Sequence, residues 1–185
     1  MEDRLLYSEY QPLLDSNNDS IFAYEALMRS RLKINPLAMI KDAKNRGVLY
    51  KLDIECITNA IEEYPYFNIK NQYLFLNIFP STIIHEQFEL FIESLLIKFP
   101  KIKGSVVFEI NEIRAEEEIW GKAIFLKRLA FLKIHGFFIA FDDLPLCRSS
   151  LKKMELLSPD FVKLDHTKSK GLSLQEISKI WSRSF

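Results

Sequence analysis

At 185 residues and 21.8 kDa the chain is long enough for one domain with a sizeable core and short for two. Its 48% hydrophobic and 27% charged residues exclude a disordered chain, a collagen-like repeat and a disulfide scaffold. Lys plus Arg and Asp plus Glu are 25 each, so the net charge is zero and there is no electrostatic footprint for a nucleic-acid polymer. Any phosphate chemistry must come from a local site. Two cysteines, Cys56 and Cys147, are too few for a disulfide framework and read as buried thiols in a reducing compartment. The acidic start Met1-Glu2-Asp3 carries no apolar signal region, and no apolar run approaches the ~18 residues of a membrane span. The chain is therefore expected in the cytoplasm, away from membranes.

The apolar period switches repeatedly along the chain. Leu5–Leu14 and Ser20–Arg29 read as two strands split by the polar turn Asp15-Ser16-Asn17-Asn18-Asp19. A helix starts near Pro36 and stops at Gly47. A second carries Leu49, Leu52, Cys56, Ile57, Ala60, Ile61 and Tyr64 at helical spacing. Tyr73–Ile78 reads as a strand, and Phe88, Phe91, Ile92, Leu95, Leu96 and Phe99 mark one face of an amphipathic helix. Then come a strand over Ser105–Ile110, a helix over Glu116–Ile134 closed by Gly136, and a strand over Phe137–Asp142. A helix over Ser149–Leu157, a strand over Phe161–Asp165 and a helix over Ser173–Trp181 complete the series. After the first hairpin, strands and helices alternate, as in a parallel sheet with covering helices. The strand ends Asn77, Glu109 and Asp142 are 32 and 33 residues apart, an even period that suits the βα units of a barrel.

Side chains on a strand alternate faces. On that rule Ala23, Glu25, Leu27 and Arg29 share a face, as do Tyr73, Phe75 and Asn77, then Val107 and Glu109. Phe138, Ala140 and Asp142 share another, with Asp143 next in the chain, and Lys163 and Asp165 share the last. Each strand thus delivers a polar side chain near its C-terminal end, where barrel enzymes place their sites. One such acid is ordinarily a loop residue or a helix cap; five matched positions on successive strands fit that account poorly. Glu25, Glu109, Asp142, Asp143 and the amide of Asn77 are hard oxygen donors, suited to Mg²⁺ or Mn²⁺ and not to zinc. Paired aspartates can bridge two ions and activate water against a phosphodiester, and Lys163 can steady the nucleophile or the developing charge. His85, His135 and His166 have no ligand spacing and read as structural or surface residues. Glu116-Glu117-Glu118 reads as a solvated first helical turn, and the phenylalanine stripe over 86–99 as core.

The segments Tyr10-Gln11-Pro12 and Tyr24-Glu25-Ala26-Leu27-Met28-Arg29 resemble the signature of EAL domains, bacterial phosphodiesterases that cut cyclic di-GMP to linear pGpG. Further resemblances follow in order: Asn77 with Pro80-Ser81, Glu109-Ile110-Asn111-Glu112, Asp142-Asp143 and Lys163-Leu164-Asp165. The resemblance implies an α/β fold, a modified TIM barrel whose first strand runs antiparallel. It implies metal ligation by Glu25, Asn77, Glu109, Asp142 and Asp143, with Mg²⁺ or Mn²⁺ as cofactor. Catalysis would rest on Glu25 and Lys163, substrate contacts on Arg29 and Asp165, and anchoring of the loop after the 137–142 strand on Glu112.

The family's glycine-rich loop after the paired aspartates reads Leu144-Pro145-Leu146-Cys147 here, exchanging permissive glycines for a proline that fixes φ. The expectation is a changed loop at the metal site. About six of the eight barrel strands are legible, so 1–185 reads as a single EAL domain lacking the last two βα units. The sequence Ile180-Trp181-Ser182-Arg183-Ser184-Phe185 does not resemble the family; a frameshift, a premature stop and a fragment would each give it. An incomplete barrel leaves an open edge at the 160–165 strand, to be covered by the 173–182 segment or by a partner, a second copy or another protein. Three functions follow from the resemblance: a cyclic di-GMP phosphodiesterase, a non-catalytic receptor for that nucleotide, or a protein-interaction module.

Overall fold

The polar turn after Leu14 is where the chain first reverses. In the computed structural model, which describes residues 4–65, 72–111, 114–144 and 148–164, Asp15 Oδ1 accepts the N–H of Asn17 at 2.8 Å and Asp19 takes the left-handed conformation at φ +56°. Strands β1 (Leu6–Leu14) and β2 (Ile21–Ser30) pair antiparallel across this turn. Their register jumps between Leu13 and Leu14, whose partners are Ala23 and Ile21, so Phe22 is the extra residue of a β-bulge. The bulge frees the Phe22 ring from strict alternation, and it meets Phe75 edge-on at 6.4 Å.

Helix α1 (Pro36–Asn45) begins as its sequence dictates: Asn35 Oδ1 caps the N–H of Leu37 at 2.8 Å and Pro36 fills the first turn. It ends on Gly47 at φ +67°, with Val48 N–H bonded to Ala43 O and Gly47 N–H to Lys44 O, a Schellman closure. There follow α2 (Leu49–Glu63), β3 (Tyr73–Ile78), the short α3 (Pro80–Ile83) and α4 (Phe88–Lys98). Strand β4 (Val106–Asn111), α5 (Ala123–Ile134), β5 (Phe138–Leu144), α6 (Arg148–Leu157) and β6 (Phe161–Leu164) complete the described chain. The strands lie in the order β1-β2-β3-β4-β5-β6, with every pair after the first parallel. Among the described residues this sheet is open, with β1 and β6 at its edges.

The outer face of the sheet carries the larger core. Leu74, Leu76, Val106, Phe108, Ile110 and Phe141 pack against α2, α4 and α5 through Ile57, Ile61, Phe88, Ile92, Phe125 and Leu132. Phe88 is fully buried, which bears out the core reading of the phenylalanine stripe. The inner face is smaller: Ala23, Phe75, Val107 and Ala140, with Tyr73, Phe138 and Phe161 packed on them. Phe161 meets Phe75 and Tyr73 at 5.3 Å each, so β6 is fastened to the inner layer by its aromatic ring.

The helix expected over Glu116–Ile134 is two pieces. A 3₁₀ turn covers Arg114–Ile119, and α5 begins only at Ala123. Between them Trp120 is buried against Phe125 and Phe141, and Gly121 follows, the residue with the greatest helix penalty short of proline. Burying the indole turns the chain, and the glycine makes that turn inexpensive.

Helix α5 closes like α1: Gly136 stands at φ +84°, Phe137 N–H bonds Leu132 O and Gly136 N–H bonds Lys133 O. A Cβ at Gly136 would lie 2.6 Å from Lys103 Cγ, whereas a Cβ at Gly47 meets nothing within 4 Å. Both glycines would carry the left-handed penalty of about 1–2 kcal/mol on substitution by Ala. Gly136→Ala is expected to lose more than Gly47→Ala in urea denaturation, because only it must also displace Lys103. Equal losses would show that Lys103 swings away freely.

Among the described residues no helix is long and apolar enough to cross a membrane. Glu112, Cys147, Asp165, His166 and the helix expected over 173–181 lie outside the described residues.

Candidate active site

The parallel register sets the heights of the polar side chains. Glu25 is level with Phe75, Asn77 with Glu109, and Asn111 with Asp142. All continue the inner face of their strands beyond the small aromatic layer, as the alternation rule requires. From the far edge of the sheet, on the same face, β6 contributes Lys163, two residues beyond Phe161.

The strands bring Glu25, Asn77, Glu109 and Lys163 together. Lys163 Nζ is 2.7 Å from Glu25 Oε2, 2.6 Å from Glu109 Oε1 and 2.8 Å from Glu109 Oε2. The same ammonium lies 5.3 Å from the centre of the Phe75 ring. Asn77 Nδ2 donates to the second oxygen of Glu25, Oε1, at 3.2 Å. Asn111 Nδ2 in turn donates to Asn77 Oδ1 at 2.9 Å.

The electrostatics show how much positive charge this cluster wants. The Glu109 side chain is fully buried. Burial pushes its carboxyl up to about 8, the charges of Glu25 and Asp142 add to the rise, and Lys163 pulls against it. Burial opposes the charge on Lys163, but Glu109 and Glu25 outweigh it and hold the ammonium above its ordinary value. Even with the ammonium beside it, the buried Glu109 carboxyl therefore stays above its ordinary value.

The test of fit for a divalent cation is the donor set itself. The donors are carboxylate and amide oxygens, which match Mg²⁺ or Mn²⁺, and a cationic group already stands between two of them. Among the described residues no three His, Cys, Asp or Glu side chains form a ready metal cluster. Glu25 and Glu109 are the pair in place. Asp142 is half-buried and near enough for its charge to act on Glu109. Strand β5 carries one residue more than β6 between the pairs Phe141–Val162 and Leu144–Leu164, so a bulge falls on Asp142-Asp143. The Asp143 side chain lies outside the described residues.

Arg29, on the same strand as Glu25, donates from Nε to Glu9 Oε2 at 2.6 Å and from a terminal nitrogen to Met28 O at 3.0 Å. It borders a cavity of about 270 Å³ whose walls also include Asn77, Asn111, Asp53, Cys56 and Leu37. Cys56 is a free thiol 3.1 Å from Met28 Sδ, and burial pushes it up to about 12, with Asp53 adding to the rise. His85 stacks on Tyr50 at 3.6 Å and His135 holds Phe131 O at 2.8 Å, so both are structural as expected.

Three residues escaped the sequence reading. Glu116 is no solvated turn residue. It is 9% exposed, and its Oε2 accepts the N–H of Ser81 at 2.9 Å while Lys44 lies 3.2 Å from Oε1. The 3₁₀ turn faces it inward, which an assumed α-helical start could not show. Asp53 is buried in α2 and accepts the N–H of Phe79 at 3.0 Å. Burial pushes it up to about 7, partly relieved by that bond. Together Asp53 and Glu116 hold the backbone just after Asn77. Asn111 was legible by alternation, two residues beyond Glu109 on the same face.

With six strands in barrel order and this cluster at their C-terminal ends, the chain belongs to the EAL domain family, whose model matches residues 1–184. The "Probable cyclic di-GMP phosphodiesterase PdeI" of Escherichia coli is 29% identical over 178 residues, covering 89% of this chain and 22% of that protein. The chain thus spans about a fifth of the length of this curated relative. The Xanthomonas citri FimX EAL domain, solved in complex with c-diGMP, superposes with a TM-score of 0.78 at 18% identity, over 97% of this chain and 73% of that one. Klebsiella pneumoniae BlrP1, solved with manganese and cy-diGMP, gives 0.74 at 22% identity, over 90% of this chain and 42% of that one. The two structural likenesses establish the EAL-type barrel fold.

Proposed function

We propose that this chain is a cyclic di-GMP phosphodiesterase domain that hydrolyses the cyclic dinucleotide to pGpG. The observation that carries the reading is the Lys163 ammonium held between Glu25 and the buried Glu109 at the C-terminal ends of the strands. The naming of the Escherichia coli relative supports it. Glu25, Asn77, Glu109, Asp142 and Asp143 would hold Mg²⁺ or Mn²⁺, which supplies an activated water when bound.

The chain's own residues do the rest. Lys163, released from its carboxylates, turns its charge to the attacking oxygen and the developing negative charge on phosphate. Arg29 exchanges the Glu9 carboxylate for a phosphate, since its forked donors fit either anion. On the family resemblance, Asp165 would contact substrate and Glu112 would anchor the loop after β5. One P–O bond forms to water's oxygen, one P–O3′ bond breaks, and the displaced 3′ oxygen takes a proton. Among the described residues β6 is an edge strand, and that edge is where a second copy or a protein partner would add a strand, in the cytoplasm.

Incubation with cyclic di-GMP and Mn²⁺, followed by chromatography, tests the reading. The expected product is pGpG. Recovery of the intact cyclic dinucleotide from protein shown to be folded would overturn it.

A further inference from the structure

We propose that Asn111 is a positioning residue that steadies the Asn77 amide at the cation site in whichever orientation the Glu25 carboxylate and the cation impose. The inference rests on the metal-site reading above and extends it to a residue that reading does not use. A carboxylate only accepts hydrogen bonds. Glu25 Oε1 therefore requires a donor from Asn77, so Nδ2 must be the end turned toward it, at 3.2 Å. The amide oxygen Oδ1 is then turned the opposite way, and Asn111 meets it with a donor, Nδ2, at 2.9 Å. The direction of the whole chain of bonds is dictated by the carboxylate at its end.

This matters because only the oxygen of an amide is a cation ligand. With Lys163 between Glu25 and Glu109, the amide oxygen of Asn77 is parked on Asn111. When a cation takes the place of the ammonium, Glu25 gains a new partner and its claim on Asn77 Nδ2 weakens. Asn111 also carries an amide, so it can answer either orientation of Asn77: by its nitrogen when Oδ1 faces it, by its oxygen when Nδ2 does. An alanine there offers no such exchange. The register supports the placement. Asn111 stands one strand over from Asn77, level with Asp142, and both amides line the wall of the same cavity. Groups that orient a metal ligand in this way are commonly worth 10-fold or more in metal affinity, on the order of the effects seen elsewhere.

A double-mutant cycle separates orientation from mere support. Mn²⁺ is titrated into the full chain without nucleotide, and the free ion is followed by electron paramagnetic resonance. Asn111→Ala is expected to weaken Mn²⁺ binding by about 10-fold. In an Asn77→Asp background the ligand has two equivalent oxygens and nothing to orient, so adding Asn111→Ala should change affinity by only about twofold or less. Equal weakening in both backgrounds would overturn the inference and make Asn111 a structural prop. Unchanged affinity on Asn111→Ala in the otherwise native chain would overturn it alone. Absence of Mn²⁺ binding in the unsubstituted protein would instead overturn the metal-site reading and take this inference with it.

Discussion

Glu25→Ala is expected to lower cyclic di-GMP turnover by about 10³-fold or more while leaving the protein folded. The size follows from what the side chain holds. One oxygen takes Lys163 and the other takes Asn77, so a single deletion disorders two neighbours and removes a proposed cation ligand. Loss of several kcal/mol of charge stabilisation in the transition state corresponds to about three decades in rate. Folding should be nearly indifferent. Glu109 still pairs Lys163, so no buried charge is orphaned. The check is product chromatography beside a thermal melt of the same sample. Turnover within tenfold of the parent would remove Glu25 from the catalytic machinery.

Phe108→Ala is expected to cost about 3–5 kcal/mol of stability. Phe108 lies in the middle of β4, fully buried, with its ring 5.1 Å from that of Phe137. The cost combines lost transfer energy with the cavity left between rigid strands and helices that cannot collapse into it. Set against total stabilities of about 5–15 kcal/mol for ordinary domains, this is a large fraction. The urea midpoint should fall steeply with little change in slope. Ile97→Ala, on the exposed side of α4 at 83% exposure, is the control and should shift stability by no more than about 0.5 kcal/mol. A small effect of Phe108→Ala would mean that the outer layer repacks around the vacancy.

Some of this molecule lay open in its sequence because short-range rules decide it. Asn35-Pro36 and Gly47 bound α1 through a cap and a Schellman closure that involve only neighbours in the chain. Strict alternation placed Glu25, Asn77, Glu109 and Lys163 on one side of the sheet, and the register then brought them together. Elsewhere the outcome depends on contacts far apart in sequence. The helix expected from Glu116 gives way to a 3₁₀ turn because Trp120 finds Phe141 and Glu116 finds Ser81 and Lys44. Asp53 looks like one more polar residue of an amphipathic helix; only the fold shows that it receives the N–H of Phe79. Asn111 passed unnoticed because an amide between two glutamates of a motif looks like filler until Asn77 is seen beside it.

The most direct test of the account is hydrolysis of cyclic di-GMP with Mn²⁺ in water enriched in heavy oxygen, with pGpG analysed by mass spectrometry. Attack by water at phosphorus with cleavage of the P–O3′ bond predicts pGpG carrying one solvent oxygen on its 5′ phosphate, and none of this product from Glu25→Ala. Unchanged cyclic dinucleotide from folded protein, or labelled pGpG formed equally well by Glu25→Ala, would contradict the assignment of the Glu25–Asn77–Glu109–Lys163 cluster as the catalytic site.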